Sequence, residues 1–120
     1  MAFDFERLEV YKKALDLAEK IYKITADFPE KERYGLQGQL RRASVSVSSN
    51  IAEGSGRYNK KDFAQFLRIA RGSLYECIPL IEIALRTGYI NKEISEGLLA
   101  SGNELAKMLN GLISSLLKNS

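Results

Sequence analysis

The sequence predicts an all-α protein, an antiparallel up-down-up-down four-helix bundle, and three observations predict it. Apolar residues recur every three or four positions through four segments, the rhythm of one helix face. No segment sustains strand alternation over a usable length. Helices one, three and four, of about 22 to 28 residues, span roughly 33 to 42 Å at 1.5 Å per residue, and similar lengths with short connections make antiparallel neighbours. The 120 residues are 45% hydrophobic and 28% charged. That suits one domain over residues 1–120, able to bury roughly two-thirds of its unfolded surface without metals or disulfides.

The first helix is predicted over residues 6–28. Val10, Ala14, Leu17, Ile21, Ile24 and Phe28 form its core stripe. Leu8, Tyr11, Leu15, Ala18 and Tyr22 form a second, so its apolar face is wider than one neighbouring helix needs. Pro29 ends it, because the residue before a proline is pushed out of helical geometry.

The second helix, 36–53, carries a core stripe of Leu36, Leu40, Ala43, Val47 and Ile51. Its second stripe of Gly38, Arg42, Val45, Ser49 and Ala52 is mostly small, which lets helix backbones approach. Ser44 to Ser48 alternate, so a short strand competes there, but the flanking pattern favours helix. Serines 44, 46, 48 and 49 suit packing or bonding back to helix carbonyls.

Gly54 to Tyr58 separate helices two and three, and Asn59 with Asp62 three residues later makes a sound N-terminal cap. The third helix, 60–86, is expected to bury Phe63, Phe66, Leu67, Ala70, Leu74, Cys77, Ile78, Ile81 and Leu85. Pro79 removes the donor for the Tyr75 carbonyl and should kink it there. Gly88 suits a left-handed C-terminal cap, and Asn91 caps the fourth helix, 91–118. Its expected seam is Ile94, Leu98, Ser101, Leu105, Met108, Leu112 and Leu116.

The composition excludes much chemistry. There is no histidine, so histidine triads, general bases and metal sites are absent, including the Glu-x-x-His di-iron sites that bundles often hold. One cysteine, Cys77, permits neither an internal disulfide nor a cysteine zinc cluster, and its place on the apolar stripe makes it a core thiol. Gly54-Ser55-Gly56-Arg57 lacks the Gly-Lys-Ser/Thr of a phosphate loop and follows a helix, not a strand. No enzyme, cofactor or metal is expected. Asp4, Glu6 and Arg7 precede any apolar run, and no stretch is long and apolar enough to span a membrane, so a cytoplasmic protein is expected.

The net charge of +3 is modest, but its distribution is uneven. From Arg33 to Arg71 eight basic residues face only Glu53 and Asp62, a local net of +6 in an otherwise slightly acidic chain. Such a block points to a polyanion-facing surface, or else to a solvated face with internal ion pairs. Arg41, Arg42, Arg57, Lys60, Lys61, Arg68 and Arg71 are the candidate phosphate contacts, and Tyr58 a candidate stacking group or an ordinary loop tyrosine. Arg41 and Arg42 point about 100° apart on a helix, so one can turn inward to a carboxylate such as Glu53 or Glu76. Those two glutamates are structural ion-pair candidates rather than acids or bases. The function expected is thus nucleic-acid binding, structured RNA or RNA/DNA, through a basic patch. The alternative is a protein-interaction adaptor or structural oligomer whose arginines pair internally.

Several stretches carry a resemblance. Phe5-Glu6-x-Leu8-Glu9-Val10-Tyr11-x-Lys13-Ala14 is followed by Phe28-Pro29, Glu32-Arg33-Tyr34-Gly35-Leu36 and Gln39-Leu40-Arg41-Arg42-Ala43. Asn50-Ile51-Ala52-Glu53-Gly54 and Phe66-Leu67-x-Ile69-Ala70-x-Gly72-Ser73-x-x-Glu76 complete the series. In this order they resemble the bacterial four-helix-bundle proteins encoded by intervening sequences within 23S rRNA genes, over nearly the whole chain. The resemblance implies a ring-like homopentamer. That family is also similar to accessory variability proteins of diversity-generating retroelements, which bind nucleic acid and a reverse transcriptase, so both partners are expectations. Tyr11 stands where members often carry tryptophan, and Ser48 near a frequent proline.

Overall fold

The computed structural model describes residues 8–118. Four helices, α1 (Glu9–Thr25), α2 (Leu36–Ser55), α3 (Lys60–Arg86) and α4 (Lys92–Lys118), enclose one apolar core, and a single 310 turn, Glu30–Glu32, sits between α1 and α2. There is no strand among the described residues, so the Ser44–Ser48 stretch is helical. Each helix packs on its neighbours in sequence and α4 closes on α1. Residue pairs that cross the seams run in opposite order. Gly54 lies against Phe63 and Phe66, whereas Ser46 bonds Ser73; Thr25 meets Gln37 and Arg41; Arg71 reaches Asn110, while Leu74 and Ile78 lie by Gly102. Neighbouring helices are therefore antiparallel.

α1 is shorter than the periodicity predicts. Leu8 is extended, with φ −72° and ψ 130°, and residues 6 and 7 of the expected start lie outside the described residues. At the other end Thr25 turns its hydroxyl onto the Ile21 carbonyl at 2.7 Å and the chain leaves the helix. Phe28 is buried even so, because the loop folds it against Tyr89 with ring centroids 5.2 Å apart.

In α2 the expected core stripe is buried, from Leu36 to Ile51. The expected second stripe is not: Arg42, Val45 and Ser49 are exposed. Close approach uses Ser44, Ser48 and Gly54 instead. Ser44 donates to the Arg41 carbonyl and Ser48 to that of Val45, so both hydroxyls enter the interior already satisfied. At Gly54 a Cβ would lie 2.5 Å from the Phe66 Cβ, closer than two side chains can pack.

α3 follows its expected span and Asn59 caps it, accepting from the Asp62 amide at 2.8 Å. Ala64, Leu80 and Ala84 join the buried set, while Phe63, Phe66, Ile78 and Leu85 sit at its edge. The helix runs unbroken through Pro79, and both Pro79 and Tyr75 are exposed, so the carbonyl deprived of its donor turns to water. Gly88, at φ 83°, closes α3: its amide donates to Leu85 and that of Tyr89 to Ala84, the paired bonds of a Schellman cap. Asn91 then caps α4 through the Ile94 amide.

The α4 seam is turned by one position from expectation. Ser95, Leu98, Gly102, Leu105, Leu109 and Ile113 are buried, whereas Ile94, Ser101, Met108, Leu112 and Leu116 are only partly so. The α3–α4 contact is far more extensive than α1–α4, which rotates the buried face toward α3. No buried side-chain polar atom among the described residues lacks a partner.

Candidate nucleic-acid interface

The eight candidate contacts fall in three places. Arg57, Tyr58, Lys60 and Lys61 cluster at the α2–α3 turn. The turn is tight because Gly54 lets α2 settle onto Phe63 and Phe66 before the chain reverses. Arg57 spans it: a guanidinium nitrogen lies 3.1 Å from Glu53, and the guanidinium carbon 4.6 Å from the Phe66 ring centroid. Tyr58 is fully exposed, its ring standing in water beside a shallow recess lined by Asn59, Lys60, Lys61 and Asp62. A tyrosine this exposed contributes nothing to the core.

Arg68 extends this cluster. It is exposed, donates to Gln65 at 3.3 Å, and lies seven residues beyond Lys61, so both share one helix face about 10 Å apart. Arg71 does not extend it. It turns sideways to α4 and donates to Asn110 at 2.8 Å, tying the two helices.

Arg41 and Arg42 lie roughly 20 Å away along α2 at 1.5 Å per residue. As adjacent residues must, they diverge. Arg41 is the inward one, but it meets no carboxylate. Its Nε donates to the buried Thr25 hydroxyl at 2.9 Å and Nη2 to the Tyr22 carbonyl at 3.1 Å, with the guanidinium 4.5 Å from the Tyr22 ring centroid. The Tyr22 carbonyl already accepts from the Ala26 amide, so Arg41 adds a second donor there, and a cation at this place suits the negative helix end. Arg42 is exposed and folds back over Gly38, where a Cβ would lie 3.1 Å from its Nη1. It makes no hydrogen bond or ion pair among the described residues.

The two glutamates also part. Glu53 pairs with Arg57 and with neither Arg41 nor Arg42. Glu76 makes no ion pair among the described residues, contrary to expectation, and is exposed on α3. Its charge is felt one residue away. Burial, and secondarily Glu76, pushes the Cys77 thiol up to about 12, so the thiolate a nucleophile needs is not populated near neutrality.

Sequence reasoning missed two features. One is the Tyr22–Arg41–Thr25 lock, for which arginine spacing gives no signal. The other is the exposure of apolar side chains on α2 and α3, Val45, Ile69, Tyr75 and Ile83, which adds to the surplus α1 stripe of Leu15 and Tyr22 already read from the sequence; all are between 40% and 52% exposed. Their signal was present as a seven-residue spacing, Leu15 to Tyr22 and Ile69 to Glu76 to Ile83, which keeps a helix face in one direction.

A family model described as 23S rRNA-intervening sequence protein matches residues 6–111. Among solved structures, the chain is similar to a protein with unknown function from the S23 ribosomal protein family of Bacteroides thetaiotaomicron. The two are 29% identical with a TM-score of 0.77, over 87% of this chain and 97% of the other. Comparison with curated proteins gives no match.

Proposed function

We propose, because this chain belongs to the 23S rRNA-intervening sequence protein family, that it is a non-enzymatic cytoplasmic protein that binds nucleic acid through the α2–α3 turn and works as a homo-oligomer. One observation carries the binding reading. A fully exposed tyrosine stands among Arg57, Lys60 and Lys61, with Arg68 continuing the cationic face. An aromatic face in water next to lysines and arginines offers stacking to an unpaired base and charge to its phosphates. Lys61 to Arg68 covers about 10 Å, roughly three nucleotide rises of 3.4 Å. Structured RNA, where loops present unpaired bases, fits this better than uniform duplex. Arg41 and Arg71 drop out of the contact set because they turn onto α1 and α4, whereas Arg57, though paired with Glu53, stays exposed beside Tyr58.

The test is binding of nuclease-treated protein to a stem-loop RNA and to duplex DNA at about 50 and 200 mM salt. Affinity is expected to fall steeply with salt, and Arg57→Glu with Lys61→Glu to weaken binding and flatten the salt slope by about 2. Unchanged affinity in that folded variant overturns the reading. The adaptor alternative is favoured by a separate observation, the exposed apolar side chains on α1, α2 and α3. A defined protein partner, recovered regardless of nuclease, would support it.

A further inference from the structure

The start of α3 holds both residues of a common helix-entry contact and does not make it. Asn59 is the N-terminal cap, so Tyr58 stands just before the cap and Phe63 is the fourth residue of the helix. Apolar side chains at those two places often clasp. Here the Phe63 ring lies against Gly54 of α2, where a Cβ would be 3.1 Å from its Cδ1, and Tyr58 is left fully exposed. The tyrosine shares its shallow recess with Asn59, Lys60, Lys61 and Asp62.

One lining group does not suit a surface made only for phosphates. Asp62 puts a carboxylate beside Lys60 and Lys61. The helix cap uses its backbone amide, which donates to Asn59 at 2.8 Å, and leaves the side chain to other contacts. Asn59 Nδ2 donates to Asp62 Oδ2 at 3.2 Å, while an ionised carboxylate has about four acceptor sites and no donor. Asp62 is exposed, so its acceptors open on the same recess as the Tyr58 ring.

We propose that the recess takes an unpaired guanine, its face stacked on Tyr58 and its Watson–Crick edge turned to the Asp62 carboxylate. The inference deepens the RNA-binding reading above and rests on it. Stacking alone is indifferent to sequence, because every base has a π face. The carboxylate supplies the choice. Guanine offers two adjacent donors, N1–H and N2–H, to two acceptor oxygens. Adenine and cytosine each set one amino donor beside a ring-nitrogen acceptor, and uracil sets its N3–H between two carbonyls. With any of those three, a carboxylate oxygen meets a lone pair. Lys61 and Arg68, exposed along one helix face, are then placed for the flanking phosphates.

Binding of the wild-type protein to stem-loop RNAs that differ in one loop nucleotide tests this. A guanine loop is expected to bind about tenfold tighter than adenine, cytosine or uracil, with inosine, which lacks the N2 amino group, between them. Asp62→Asn keeps the shape but offers one acceptor and one donor, so the preference should move from guanine to adenine. A carboxylate that served only the positive helix end would leave the preference where it was. Tyr58→Ala should weaken binding to every loop alike, by about fivefold or more. Equal affinity of the wild-type protein for the guanine, inosine and adenine loops would overturn the guanine assignment while leaving the cationic patch standing. So would a folded Asp62→Asn protein that still prefers guanine. No binding to any loop at about 50 mM salt would remove the reading on which the assignment rests.

Discussion

The two ends of the bundle are built for different purposes. At the end holding the α1–α2 and α3–α4 connections, the loops are cross-tied. Glu32 accepts from the Leu36 amide at 3.1 Å and from the Tyr89 hydroxyl at 2.8 Å, and Phe28 packs on the same tyrosine. Gln37 donates to the Thr25 carbonyl at 2.6 Å, and Arg41 reaches Thr25 and Tyr22. At the other end, the α2–α3 turn holds Arg57 against Glu53 and Phe66 and caps α3 through Asn59 and Asp62, and leaves Tyr58 and Lys61 in water. Both ends hold tyrosines and charges. The first leaves Tyr34 in water beside Arg33 but turns Glu32, Arg41 and Tyr89 onto its own chain; the second leaves Tyr58 in water beside Lys61 with no such tie between its loops. Basic composition alone does not mark a binding surface; what separates Arg41 from Lys61 is whether the chain already uses the group.

Substitutions break this comparison to different degrees. The largest effect is expected at Gly54→Val, where the added carbons meet Phe66 and Phe63, costing about 1–3 kcal/mol or more. Gly56→Ala, two residues on with an ordinary 3.6 Å contact, should leave the melting temperature nearly unchanged. Thermal melts of the pair check whether close helix approach stops where the turn begins. Next comes Thr25→Val at the tied end. It keeps the shape but leaves Arg41 Nε without its acceptor, a loss of about 1–2 kcal/mol in chemical denaturation.

A smaller effect is expected from pH at the tied end. The Leu36 amide, then the Tyr89 hydroxyl, hold the Glu32 carboxyl below its usual 4.5. A group lowered on folding stabilises above its unfolded value and loses that contribution as pH falls through the folded one. Wild type should therefore lose more stability than Glu32→Gln as pH drops below about 4.5. Tyr89 is raised by the same hydrogen bond, so its contribution is present below its usual 10.0 and fades as pH rises beyond it. Melts across pH read both limbs, and parallel curves for the two proteins would contradict the link. The smallest stability change is expected at the open end. Arg57→Ala breaks an exposed pair, about 0.2–1 kcal/mol, yet should weaken RNA binding visibly.

Much of the fold was legible because periodicity and caps are local signals. Asn59, Gly88 and Asn91 do what their residue types predict, and α3 begins and ends where its pattern does. What failed depended on neighbours. The α4 seam turned by one position because α3 draws it more strongly than α1, a balance no single segment encodes. α1 ended at Thr25 while Phe28 stayed buried, so the periodic stripe ran on into a loop that periodicity does not tell from helix. The site was legible as a list of cations but not as a surface. Whether Arg41, Arg71 or Glu76 faces inward depends on which helix lies beside it, and that is set only when the bundle closes.

The most direct measurement reverses equal charge at the two ends and compares RNA binding at one salt concentration. Arg57→Glu with Lys61→Glu alters the α2–α3 turn, and Lys31→Glu with Lys92→Glu alters the loop end, all at exposed positions. If the turn is the contact surface, the first variant loses most of its affinity and the second stays close to wild type. Equal losses in the two variants, or a loss confined to the loop end, would contradict that assignment.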